Sequence, residues 1–248
     1  MITQFADVWT LPWWVWGILG LAALLIGFAK TSIGNMSLVA VVAMAQILPV
    51  RDSTGVVLLL FLVGDLVAIW VYIKSVDWKL IVSLIVPVLV GLGLGAAFLN
   101  WVDDTVLKKT MGVIILVLIV LGFWPDKLGV QRKPVAFGYG AMAGFTTMVA
   151  NAGGPAMSLY LLAAKFDKLR FLGTSAWFFF FVNVSKAPVS IGLGILRPEI
   201  ALFALALAPI TLVGTWLGRV LIKRIAQRTF EVLVTVFCAI SALYLIVA

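Results

Sequence analysis

The chain has 248 residues, 64% of them apolar and 11% charged, with a mean hydropathy of +1.19. A soluble domain carries about a quarter charged residues, and no polar stretch here exceeds about a dozen residues, so a separate soluble domain is excluded. The formal charge is +8, but the basic residues sit in short loops, which points to membrane topology and anionic lipid headgroups and not to nucleic acid.

There is no histidine, and Cys238 is the single cysteine. An internal disulfide and a His/Cys metal cluster are therefore ruled out, and any proton relay must use carboxylates. No P-loop or other cofactor motif appears, so no cofactor and no metal are expected. The stretch before Trp13 lacks a basic n-region and a small-residue cleavage site, so no cleaved signal peptide is expected.

Apolar segments are predicted at 12–29, 33–49, 54–73, 79–99, 106–124, 134–149, 154–166, 171–195, 199–222 and 229–248. They are too long for strands and do not alternate. The chain reads as an all-α polytopic membrane protein. Trp13, Trp14 and Trp16 suit an interfacial belt at the start of the first segment. The run Trp177-Phe178-Phe179-Phe180-Phe181 reads as packing and lipid-facing surface.

Loop charge sets the expected topology. Net positive loops are 74–79 (Lys74, Asp77, Lys79), 125–134 (Asp126, Lys127, Arg132, Lys133), 165–170 (Lys165, Asp167, Lys168, Arg170) and 219–231 (Arg219, Lys223, Arg224, Arg228, Glu231). All fall on one side if the segments alternate, and that side is cytoplasmic. Arg51/Asp52, Asp103/Asp104/Lys108/Lys109 and Arg197/Glu199 balance on the other side. Both termini then face outward.

The two halves resemble each other. Gly27-Phe28 aligns with Gly144-Phe145, Asp65 with Asn183, Pro87 with Pro209, and Gly91/Gly95 with Gly214/Gly218. Each half holds five segments, an odd number, so the second half enters the membrane with opposite polarity. This predicts two inverted-topology repeats, 1–124 and 135–248, joined by a cytoplasmic linker at 125–134 in one integrated membrane domain. Such repeats place a transport site near the midplane between them. The glycines at 91, 93, 95, 214 and 218 read as close helix packing.

A polar, glycine-containing break interrupts each half at the same place. The first is Lys30-Thr31-Ser32-Ile33-Gly34-Asn35-Met36-Ser37; the second is 146–155, ending Asn151-Ala152-Gly153-Gly154-Pro155. The segment after each break is short, which allows a re-entrant hairpin as well as two full crossings. Irregular backbone at that depth survives only where protein or a water-filled cavity covers it. A helix N-terminus there offers unpaired N–H groups and partial positive charge to an anion. The bland alternative is that the glycines only permit tight turns.

Three charged residues lie in or near apolar segments. Lys30 is either a loop lysine or a buried cation; Lys186 lies well inside its segment, and Asn183 shares its helical face. Asp65 is either a structural partner of one of these lysines or a proton carrier. A charge in the membrane interior points to function by default. The candidate anion-binding set is Lys30, Ser32, Gly34, Asn35, Asn151, Gly153, Gly154, Asn183 and Lys186, with Asp65 for proton coupling or an ion pair. A nucleophile–base pair is missing, so the chain is not read as an enzyme. A channel-like anion pore is the alternative to a carrier. A homo-oligomer is compatible with the sequence.

At these residues the chain resembles the TauE/SafE family of sulfite-exporter-like permeases. The resemblance rests on Ala29-Lys30-Thr31-Ser32-Ile33-Gly34, Asp52-Ser53-Thr54-Gly55-Val56, Val63-Gly64-Asp65, Ala150-Asn151-Ala152-Gly153-Gly154-Pro155 with Leu159-Tyr160-Leu161-Leu162, and Phe171 to Phe179 with Asn183 and Lys186-Ala187-Pro188. It implies a multi-pass protein of the inner cell membrane that exports sulfite, sulfoacetate or related organosulfonates. The first break departs from the family's more glycine-rich pattern at Asn35 and Met36, which leaves the particular anion open, another small organic anion included.

Overall fold

The computed structural model describes residues 5–98 and 133–247. The predicted segment 106–124, most of the linker 125–134 and the loop charges Asp103, Asp104, Lys108 and Lys109 lie outside the described residues. Among the described residues the helices are α1 (Trp13–Thr31), α2 (Ser37–Ile47), α3 (Val50–Tyr72), α4 (Trp78–Phe98), α5 (Lys133–Ala150), α6 (Gly154–Ala163), α7 (Lys168–Gly192), α8 (Pro198–Ile222) and α9 (Gln227–Val247). No strand occurs among them. Four of the described helices, α1, α3, α4 and α8, are long and apolar enough to cross a membrane.

The elements form two compact units, each drawing on both halves of the sequence. The first comprises Met1–Ile73 and Ala176–Ile225, the second Lys74–Ser175 and Ala226–Ala248. In the first unit α1 packs along α8, and both pack on α3. Its core joins Leu19, Ala23 and Ile26 of α1, Met44 of α2, Val57 and Leu60 of α3, and Phe203 and Leu207 of α8. Trp13 and Trp14 are exposed, as an interfacial belt requires. Trp16 departs from that expectation: its ring stacks at 5.3 Å from Phe203, because it projects from α1 towards α8.

Glycine makes the α1–α8 seam. A methyl carbon on Gly27 would overlap the Thr211 carbonyl, one on Gly214 the Leu24 carbonyl, and one on Gly218 the Phe28 carbonyl. Small residues let two helix backbones touch and gain dispersion contacts where no water drives association. The second unit repeats the device. There α4 packs along α5; Gly91 abuts the Ala141 carbonyl and Gly144 the Val88 carbonyl. The residues met by Gly27 and Gly144, and those met by Gly214 and Gly91, align when the two halves are superimposed in sequence. Gly91, Gly95, Gly214 and Gly218 thus serve packing; Gly93 meets nothing within 4 Å and does not.

Each unit also carries an ion pair at helix ends. In the first, Arg197, the residue before α8, donates to Asp52 in the first turn of α3 at 2.8 Å. In the second, Arg170 in the first turn of α7 pairs with Asp77, the residue before α4. Positions and partners correspond with the charges exchanged. Asp77 also accepts from the Leu80 backbone N–H at 3.0 Å, and its own backbone N–H donates to Thr174 Oγ1 at 3.0 Å.

Two outcomes follow from this packing. Gly27→Ala and Gly144→Ala should each lower thermal stability in detergent by about 1–3 kcal/mol through overpacking, whereas Gly17→Ala, whose methyl meets nothing within 4 Å, should be neutral or slightly stabilising. Partial burial pushes the Asp77 carboxyl up, but hydrogen bonds from Leu80, Arg170 and Lys79 outweigh it and hold the group below its ordinary range. A depressed carboxylate stabilises above its unfolded pKa of about 3.9, and that contribution is lost as pH falls through the folded value. Asp77→Asn should therefore melt below wild type at neutral pH, with the gap closing in acid.

Candidate anion site

The first break begins later than the sequence suggested. Lys30 and Thr31 are the last residues of α1, and irregular backbone starts at Ser32. The helix extends because its last carbonyls are satisfied: Ser32 Oγ donates to the Phe28 carbonyl at 2.6 Å, and Tyr72 Oη donates to the Thr31 carbonyl at 2.6 Å. Thr31 Oγ1 donates to the Thr215 carbonyl at 2.7 Å and anchors the end of α1 to α8. A short 3-10 turn, Gly34–Met36, then leads into α2, with Ser37 Oγ donating to the Gly34 carbonyl at 2.7 Å. Ser32 and Asn35 are each only 1% exposed. A methyl on Gly34 would meet nothing within 4 Å, so open space lies beside that backbone.

Lys30 is a buried cation and not a loop lysine. Its Nζ donates to Asp65 Oδ1 at 2.6 Å, and Asp65 is fully buried. Asn183 Nδ2 donates to Asp65 Oδ2 at 2.7 Å. Both carboxylate oxygens are thereby engaged, as a buried carboxylate requires. The carboxylate accepts only, so its partner on Asn183 is the amide nitrogen. Asn183 Oδ1 is buried with no hydrogen-bond partner among the described residues. Lys186, one turn further along α7, is 1% exposed and within electrostatic reach of Lys30.

Helical spacing builds this cluster. Phe61, Gly64 and Asp65 lie at i, i+3 and i+4 on α3; Phe179, Asn183 and Lys186 lie at i, i+4 and i+7 on α7. The Lys30 ammonium sits 4.1 Å from the Phe61 ring centroid and 5.4 Å from that of Phe179. Phe179 therefore departs from the purely packing role read for its aromatic run. A methyl on Gly64 would come within 2.8 Å of Lys30 Cγ, so Gly64 keeps the path from α1 to Asp65 clear. Gly64, Phe61, Phe179 and Tyr72 were missed as site residues. Only the spacing of Gly64 and Phe61 from Asp65 could have pointed to them.

Asn151, Gly153 and Gly154 belong to the second unit. Asn151 has φ 54°, the left-handed region that asparagine tolerates, and its N–H donates to the Thr147 carbonyl at 3.0 Å. It thus caps α5. Gly153 takes ordinary helical angles at φ −70° and ψ −13°, so tight-turn geometry does not demand glycine there. Pro155 occupies the first turn of α6, as expected. At about 1.5 Å per residue, α2 and α6 reach roughly 15–17 Å, about half a hydrocarbon core of about 30 Å.

Together these features define an α-helical integral membrane protein with a buried, charged array among apolar helices. The model of the family described as Sulfite exporter TauE/SafE matches residues 19–245. The chain belongs to that family, a family of sulfite/anion exporter-type membrane transporters. No curated protein and no solved structure matches it.

The buried pair makes an unequal prediction. Asp65→Leu alone leaves a desolvated ammonium and should cost about 3–5 kcal/mol, whereas Lys30→Met combined with Asp65→Leu should recover most of it. Thermal unfolding of the purified variants in one detergent, read as a double-mutant cycle, measures the coupling.

Proposed function

We propose that the protein is a secondary carrier that exports a small sulfur-containing anion, such as sulfite, sulfoacetate or a related organosulfonate, across the inner cell membrane. The observation that carries this reading is the buried array of Lys30, Asp65 and Asn183 with Lys186 one turn away. Asp65 offsets one of the two ammonium charges, so Lys30 and Lys186 leave the array net positive, which in a medium of low dielectric favours an anion. In the first break the Gly34 backbone would supply a further N–H donor; in the second, Asn151 already donates its N–H to the Thr147 carbonyl.

In this reading Asp65 is a structural counter-ion that holds Lys30 and Asn183 in place and carries no proton. Export then needs no coupling ion, because a negative-inside potential of 100 mV drives each negative charge outward by about 2.3 kcal/mol. The matched glycine seams and charge-exchanged ion pairs support two inverted repeats of about five segments. Alternating access between them, with both termini outside, is the mechanism we favour.

Purified protein should bind a sulfonate or sulfite in preference to sulfate. Lys186→Met should weaken binding by about ten-fold or more, the loss expected for a charged hydrogen-bonding partner. Unchanged binding in this variant would remove Lys186 from the site. In proteoliposomes, labelled efflux should accelerate when unlabelled anion is added outside, because only a carrier shows trans-stimulation. Efflux indifferent to external anion would mean a channel-like pore.

A further inference from the structure

The first unit carries a groove at the basic end of α8, separate from the array around Asp65. Its volume is about 470 Å³, within the range of ligand sites. Leu24 and Phe28 of α1, Met36 of the turn before α2, Leu217 and Leu221 of α8, and Arg224 line it. Among the described residues Arg224 is the one with a polar side chain in that lining. An anion pathway would not be walled by leucine, phenylalanine and methionine, so the groove suits a chain of methylenes.

We propose that this groove binds an anionic phospholipid, with an acyl chain between α1 and α8 and the phosphate on Arg224. Charge complementarity selects this occupant. Arg224 is exposed just past the end of α8, next to exposed Lys223, the C-cap residue, and Arg219 lies in the last helical turn. Basic pockets between membrane helices bind anionic headgroups in this way. Leu217 and Leu221 are 38% and 44% exposed, so the wall faces a surrounding bilayer from which a chain can enter. Arginine presents a planar fork of donors matched to phosphate oxygens.

The groove also touches the transport machinery at one wall. Met36 follows Asn35 in the turn, and the Phe28 carbonyl accepts the Ser32 hydroxyl that ends α1. An acyl chain packed on Phe28 and Met36 braces the first break from outside. The lipid thus supports the site without entering it.

The test is native mass spectrometry of the full-length protein, incubated with phosphatidylglycerol or with phosphatidylcholine of the same acyl chains. Wild type should retain phosphatidylglycerol at least about ten-fold more, because its headgroup is net negative whereas the choline cation of phosphatidylcholine neutralises the phosphate and is repelled by Arg224 and Lys223. Arg224→Gln should abolish that preference, and Leu221→Trp, which fills the groove, should reduce retention of both lipids. Arg224 is exposed at a helix end, so Arg224→Gln should elute as wild type in size-exclusion chromatography even if Leu221→Trp does not fold. Equal retention of the two lipids by wild type, or a preference for phosphatidylglycerol unchanged in Arg224→Gln, would overturn the proposal. Binding is read without transport, so the outcome does not depend on the identity of the exported anion.

Discussion

The ion pair between Lys30 and Asp65 is the constraint on which the first unit depends. An ammonium and a carboxylate out of water each carry a desolvation penalty of several kcal/mol, and only close geometry with additional hydrogen bonds offsets it. The contact at 2.6 Å, the amide of Asn183 on the second oxygen and the two aromatic faces over the ammonium meet that demand. Satisfying it sets where three helices stand. Helix α1 must continue through Lys30, α3 must present Gly64 and Asp65 on one face, and α7 must bring Asn183 against them. A shift of one residue in any of these helices would turn its polar group by about 100° and leave a charge unpaired.

Rigid seams and irregular breaks divide the work between them. Where Gly27, Gly214 and Gly218 close α1 onto α8, the backbones are in contact and dispersion holds them. The seam stops at the end of α1, where Thr31 reaches the Thr215 carbonyl, and the break starts in the next residue. Helix α2 is too short to span a hydrocarbon core by itself, and the turn before it is held by the Ser37 hydroxyl on the Gly34 carbonyl. A fixed helix pair followed by a held turn keeps the first break in place without side-chain reorganisation.

Most of the secondary structure was legible in the sequence, because a membrane demands long apolar helices and the chain has little else. The matching glycines were legible as well: Gly27 and Gly144, and the paired glycines of α4 and α8, each close a helix seam. Helix ends were less so. Lys30 read as part of the break because a charge normally terminates an apolar run, yet the Ser32 and Tyr72 hydroxyls satisfy the last carbonyls and carry α1 two residues further. Asn151 reads as a ligand from the sequence; its left-handed backbone shows that it closes α5.

The sequence by itself determined the class of protein, the helices, the family and the short set of intramembrane charges, because each depends on composition, periodicity or local motif. Only the tertiary structure decided which lysine takes Asp65, that Asn183 completes the carboxylate's bonding, and that Gly64, Phe61 and Phe179 make room for Lys30 and cover it. It also decided that helices from different halves pair along glycine seams within each unit. These contacts join residues well separated in sequence, 35 positions apart for Lys30 and Asp65 and 118 for Asp65 and Asn183. Burial and geometry choose among the partners that local sequence leaves equivalent, since in a low dielectric an unpaired charge costs far more than any difference in helix propensity.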